Sequence, residues 1–161
     1  MRLPNREWDL ISSAVPPLDA ERVRIHRGDE PGPAAIMRRA VLALSGGRAV
    51  TLGNDVFLPD HSADDPATLA HELTHCAQFQ RWGPLHYYAR GLGVQLRDLL
   101  HRATGLGGSP YRYFIEPGKP FEAYGMEQQG QIVEDQVRFR RPVFYPPTTP
   151  SHSRRGRRSS P

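Results

Sequence analysis

The sequence predicts an α+β fold, a small antiparallel sheet packed on a buried H-E-x-x-H helix with two further helices. Three observations predict it. The motif His71-Glu72-Leu73-Thr74-His75 stands in an uncharged stretch, with a helix start before it and a helix stop after it. Short β-rich runs precede that stretch. Two longer stretches with apolar residues at helical spacing follow it.

Taken in order, residues 1–17 read as an irregular lead-in interrupted by Pro4, Pro16 and Pro17, with Trp8 and Leu10 packed on the domain. Arg22-Val23-Arg24-Ile25-His26 alternates polar and apolar, the pattern of a half-buried strand. His26 at its end reads as a satisfied histidine rather than a ligand. Residues 29–33 are turn material, and Ile36, Ala40, Val41 and Leu44 then fall at helical spacing until Gly46-Gly47. Ala49-Val50-Thr51-Leu52 and Val56-Phe57-Leu58 are β-rich and joined through Gly53-Asn54-Asp55, a hairpin or a bulged strand. We place the strand just before the motif helix at a sheet edge, where an extended peptide could add as a further strand.

Asp65 reads as a helix N-cap with Pro66 at the first helical position, and Trp82-Gly83-Pro84 as the stop. A helix nearly free of charge around its motif is a buried one. Two histidines and a glutamate are costly there without partners, and a metal supplies them. Beyond the stop, Leu85, Tyr88, Leu92, Leu96, Leu99 and Leu100 mark one face of a second helix, weakened by Gly91 and Gly93. Residues 111–115 read as a short strand. Residues 121–137 read as a third helix with Met126, Gly130, Val133 and Val137 on one side. We assign the domain to residues 18–141 and a disordered basic tail to residues 142–161, which are rich in Pro, Ser, Thr and Arg.

Composition narrows the function classes. No run of 18 apolar residues occurs, so no membrane-spanning helix and no membrane partner are expected. The first residues lack the apolar region of a signal peptide, which places synthesis in the cytoplasm. A single cysteine, Cys76, excludes an intramolecular disulfide and reads as a buried, unreactive thiol. The net charge is +4, from 21 Lys and Arg against 17 Asp and Glu, and Arg154, Arg155, Arg157 and Arg158 account for the whole excess. The rest of the chain is formally neutral, which argues against specific nucleic-acid binding and leaves the tail as a non-specific polyanion contact at most.

On a helix, residues four apart lie on one face, so His71 and His75 can converge on one ion with Glu72 beside it as general base. A catalytic zinc takes three protein ligands and keeps a position for water. The metzincin continuation needs Gly at 78 and His at 81, where this chain has Gln78 and Arg81. A downstream glutamate is the usual alternative, and Glu122, Glu127 and Glu134 are offered. Glu122 stands at the helix entrance. Glu127 and Glu134 are seven apart and share a face with Gln131, so spacing does not choose between them. His61, His86 and His101 are weaker candidates.

Three segments carry a resemblance: residues 19–26 (DAERVRIH), 49–58 (AVTLGNDVFL) and 69–75 (LAHELTH). In this order they resemble the eCIS-core family, a metallopeptidase-type domain found with bacterial extracellular contractile injection systems and polymorphic toxins. Downstream, residues 127–135 (EQQGQIVED) resemble the E-Q-Q-x-x-I-V-x-D segment of shorter members. The resemblance implies a zincin fold of gluzincin type, zinc as cofactor, and Glu127 as third ligand beside His71 and His75. In familiar gluzincins an acid four residues after that glutamate orients a zinc histidine, and here Gln131 stands at that place. The resulting expectation is zinc-dependent peptide hydrolysis, with a protein or peptide as substrate and Tyr113, Tyr124 or His86 to steady the oxyanion. The alternative from another class is a non-proteolytic zinc module that docks on an injection-system particle. Export through such a dedicated machine is compatible with either.

Overall fold

The computed structural model describes residues 5–28, 30–105 and 109–140. Helix α1 (Asn5–Ala14) is followed by strand β1 (Arg24–Arg27), helix α2 (Ala35–Leu44) and the hairpin of β2 (Val50–Leu52) and β3 (Asp55–Leu58). Helix α3 (Pro66–Thr104) and helix α4 (Met126–Phe139) complete the described chain. Among the described residues no helix is long and apolar enough to cross a membrane. The fold class is α+β with one three-stranded sheet. The side chain of Trp8, residue 29 and the basic tail expected at residues 142–161 lie outside the described side chains and residues.

The sheet order is β1-β3-β2, so the strand that precedes the motif helix is central and not at an edge. Its three apolar residues Val56, Phe57 and Leu58 are all buried, as a strand covered on both faces requires. The sheet is also mixed rather than antiparallel. β2 and β3 pair antiparallel, while β1 runs parallel to β3 with Arg24 opposite Asp55. A parallel neighbour needs a long crossover, and the segment holding α2 supplies it. Gly53 at the first turn position has φ 70°, the conformation that a two-residue hairpin turn demands there. His26 Nε2–H donates to Asp55 Oδ1 (2.8 Å) and the ring stacks on Phe57, a structural role.

Two further expectations are corrected. The N-terminal lead-in is not irregular: α1 places Ile11 and Ala14 in the core, with Val15 just past its end. The prolines that suggested irregularity flank the helix instead of interrupting it. Residues 111–115 form no strand, and residues 121–123 form one turn of 3-10 helix before α4 begins at Met126. Gly125 breaks the two apart, with its N–H donating to Gln128 Oε1 (2.9 Å).

Asp65 caps α3: its side chain accepts from Ala67 N–H (3.1 Å) and from the Thr68 hydroxyl (2.7 Å). Residues beyond Gly83 are again helical, but Gly83 itself has φ 76° and ψ 165°, which breaks and kinks the helical backbone at the stop read from Trp82-Gly83-Pro84. Only glycine occupies that region at little cost. Before the break, Leu69, Ala70, Leu73, Cys76 and Ala77 are buried between the sheet, α1 and α4. Ile132 and Val133 of α4 close the core from the other side, each burial contributing about 1.5–3 kcal/mol. This clamp fixes the two motif histidines against α4. Beyond the break Tyr87 is the buried residue of the helix.

Candidate metal centre

His71 and His75 project from one face of α3 toward α4, where Glu127, Gly130 and Glu134 lie along a single face. His75 Nε2 stands 3.1 Å from His71 Nε2, and Glu127 Oε2 stands 3.6 Å from both. Those three atoms are one group of donors able to hold a metal ion. Oxygen or nitrogen donors about 2.0–2.1 Å from a tetrahedral centre lie about 3.3–3.4 Å from one another, so the spacing suits a zinc-sized ion. Glu122, by contrast, pairs with Arg81 on the surface, and His86 and His101 are not part of the group. His61 lines the same cleft without joining it.

The other ring nitrogens show why the donors face inward. His71 Nδ1–H donates to Glu134 Oε2 (3.0 Å). His75 Nδ1–H donates to Gln78 Oε1 (2.8 Å). Gln78 is itself held, because its amide donates to Met126 O (3.1 Å) and Gln129 Oε1 (3.0 Å) on α4. With both Nδ1 atoms donating, two bare Nε2 lone pairs and a carboxylate converge in a buried site. Three electron pairs at this range need a positive charge among them, whether protons or a metal. The donor set therefore fits a bound cation.

The protonation balance says the same. Burial would depress His71, but hydrogen bonding to Glu127 and Glu134, with the charge of Glu72, outweighs it and pushes its pKa up to about 10. His75 is raised in the same way, burial opposing and Glu127 prevailing. Burial would raise Glu127, yet the two imidazoles hold it well below the usual carboxylate range. Glu134 is lowered by its hydrogen bond with His71, against its own burial and with help from Arg138. Arg138 joins Glu134 Oε1 (2.8 Å) to Asp65 Oδ2 (3.0 Å), tying α4 to the cap of α3.

Glu127 and Glu134 thus both reach His71, at opposite ring nitrogens. The place in the ring pattern that Gln131 leaves open is taken by Glu134, while Gln131 itself donates to Asp135 (3.2 Å). Gly130 lies between the two glutamates. A Cβ there would sit 2.7 Å from His71 Nε2 and 2.9 Å from Cε1, so the imidazole packs directly on the helix backbone. Only a residue without a side chain leaves that space.

Glu72 is buried beside the donors, and the Thr51 hydroxyl of β2 lies 2.7 Å from its Oε2 and 3.1 Å from its main-chain oxygen. The Cys76 thiol, buried near it, is pushed up to about 12 by burial and is inert. These residues stand on the wall of a cleft of about 940 Å3, whose other walls are β2, Tyr87, Tyr88 and Leu92 of α3, and Tyr111. Tyr113 donates to Asp135 (2.5 Å), and the Tyr124 hydroxyl lies against Phe114 O (3.3 Å) and Glu116 N (3.0 Å), so both point elsewhere. His86 does not line the cleft either. Sequence reasoning missed Tyr87 and Tyr111, which reach the cleft only through the break at Gly83 and an irregular segment. Antiparallel pairing turns the main-chain groups of Thr51 away from β3, and the Tyr87 hydroxyl donates to Thr51 O (3.3 Å).

Residues 13–83 match the family model described as the eCIS core domain. That span includes His71, Glu72 and His75 and stops short of α4. No curated protein and no solved structure matches the chain.

Proposed function

We propose, taking the eCIS core match over residues 13–83 as premise, that this chain is a zincin-like zinc peptidase working in association with a contractile injection system. The observation that carries the reading is the inward convergence of His71 Nε2, His75 Nε2 and Glu127 Oε2, with both Nδ1 atoms already engaged. His71, His75 and Glu127 would hold the ion. When bound, zinc supplies Lewis acidity, drawing the pKa of a coordinated water toward about 7 and polarising a peptide carbonyl. Glu72 then takes a proton from the attacking water and returns it to the leaving amine. Thr51 engages Oε2 of Glu72, which leaves Oε1 for that transfer. The peptide enters the cleft beside β2, the edge strand whose Thr51 N–H points away from β3.

Three donors and not four form the group among the described residues, which supports an open position over a closed structural site. The test is metal analysis joined to a peptide-library digest. Wild type is expected to carry about one zinc per chain and to cleave, His71→Ala to lose the metal, and Glu72→Gln to keep the metal without cleaving. Cleavage by Glu72→Gln at the wild-type rate would remove that residue from the chemistry. Zinc bound by four protein ligands with no hydrolysis would leave the docking module in its place.

A further inference from the structure

The cleft beside the metal centre carries four carboxylates on its walls, Asp65, Glu72, Glu127 and Glu134, and one arginine, Arg48. Each carboxylate is already engaged. Asp65 and Glu134 hold Arg138, Glu127 and Glu134 face the imidazoles, and the Thr51 hydroxyl meets Glu72. Arg48 is different. Among the described residues it forms no ion pair, and its polar contacts are neutral: Nε–H donates to Ser45 O (3.3 Å), and the guanidinium lies beside the Tyr111 hydroxyl.

The local chain fixes where this charge points. Arg48 stands two residues before β2, and the Ser45 hydroxyl, 2.6 Å from Arg48 O, ties the loop at its base. With Nε turned back on its own loop, the two Nη groups are what the side chain offers the cleft. Tyr111, half-buried, stands on another wall, so the guanidinium reaches across one end of the cleft. Burial and the charge of Glu127 raise the Tyr111 hydroxyl, and Arg48 beside it pulls the other way. Neutral acceptors satisfy hydrogen bonds but leave the charge uncompensated. A guanidinium is weakly hydrated and matches a carboxylate with two parallel N–H donors, so the missing partner is an anion of that shape. Thr51, which meets Glu72, lies three residues on from Arg48. At about 3.3 Å per extended residue the two are about 10 Å apart, the span of about three residues of a bound peptide.

We propose that Arg48 determines specificity by taking a carboxylate of the bound peptide, about three residues from the bond that is cut and on the side where β2 begins. This rests on the peptidase reading of the same cleft. The carboxylate is supplied by an Asp or Glu side chain or by a free C-terminus, which present the same pair of oxygens.

The test uses the full zinc-loaded chain and short peptides in which one Glu is stepped along a neutral sequence. Each is compared with its Gln counterpart and made with a free and with an amidated C-terminus. Wild type should favour one placement of the carboxylate over its neutral counterpart by about fivefold in kcat/KM. That ratio should fall to about one in Arg48→Ala and below one in Arg48→Glu, and Arg48→Lys should keep part of it. A gain that follows Glu in the amidated peptides assigns the side chain, and a gain that follows the free terminus assigns the C-terminus. A wild-type ratio near one at every placement, or a preference kept by Arg48→Ala, overturns the proposal. Binding of the same peptides, fluorescently labelled, to zinc-loaded Glu72→Gln separates the two readings. A wild type that binds and cuts nothing removes the peptidase, while an Arg48-dependent preference in binding still supports the arginine; no binding, or binding blind to the carboxylate, overturns it.

Discussion

Gly130→Ala is the substitution that separates the metal site from the fold. The added methyl would meet His71 Nε2 at 2.7 Å, Cε1 at 2.9 Å and Cδ2 at 3.0 Å. To reach ordinary contact the ring must move by about 0.7 Å, and it is pinned at Nδ1 by Glu134. Metal ligands tolerate about 0.2 Å, so the three donors no longer converge. We expect metal affinity to fall at least about 100-fold, the upper end of what disturbed ligand support costs. The fold itself should be nearly spared. Alanine favours the helix over glycine by about 1 kcal/mol, against about 1–3 kcal/mol for the crowding. The metal-free melting temperature should therefore fall by no more than about 8 °C. Competitive chelator titration measures the first quantity and thermal unfolding without metal the second. A variant binding metal within about threefold of wild type would refute the argument that His71 Nε2 coordinates from this position.

Four further outcomes follow from the same geometry. Glu127→Ala should abolish stoichiometric metal binding, whereas Glu134→Gln, which keeps a hydrogen-bond acceptor for His71, should weaken it about 10- to 100-fold; equal effects would mean that the two glutamates are not distinct in role. Thr51→Val should lower hydrolysis through Glu72 with metal content intact, and Thr51→Ser should restore it; failure of serine to rescue would assign Thr51 a packing role. In the metal-free protein His71 is raised from 6.5 to about 10, so its contribution to stability is full below 6.5 and is lost as pH rises through 10. Glu127 is lowered from 4.5, so its contribution is full above 4.5 and lost as pH falls. Metal-free melting temperatures should thus decline between pH 6.5 and 10. Metal affinity should climb over the same range, since binding must expel the imidazole proton; an affinity flat between pH 6 and 9 would contradict the raised pKa.

The motif helix, its cap at Asp65 and its interruption at Gly83 are legible because each rests on local chemistry: a side-chain acceptor, a missing N–H, a backbone that only glycine adopts. The parallel placement of β1 is not, since it is decided by a crossover and not by alternation within the strand. Helix α1 was hidden by prolines at its flanks, although Ile11, Ala14 and Val15 repeat at helical spacing. The two glutamates of α4 share a face, and seven residues of spacing cannot say which ring nitrogen each will meet. That choice is made by where Gly130 lets the imidazole sit. The spacing of the leucines in residues 84–104 marks one face; which way that face turns is settled by Tyr87 packing against Phe79 and β2, a contact across the break.

The break at Gly83 has a mechanical meaning. A continuous rod would pass any bending of its outer part straight to the imidazoles through the main-chain ladder. Here the ladder is interrupted at Gly83, so the main chain gives no continuous helical path from residues 84–104 to His75. What links the two parts across the break is side-chain contact instead, the Tyr87 ring on Phe79 and its hydroxyl on Thr51 O.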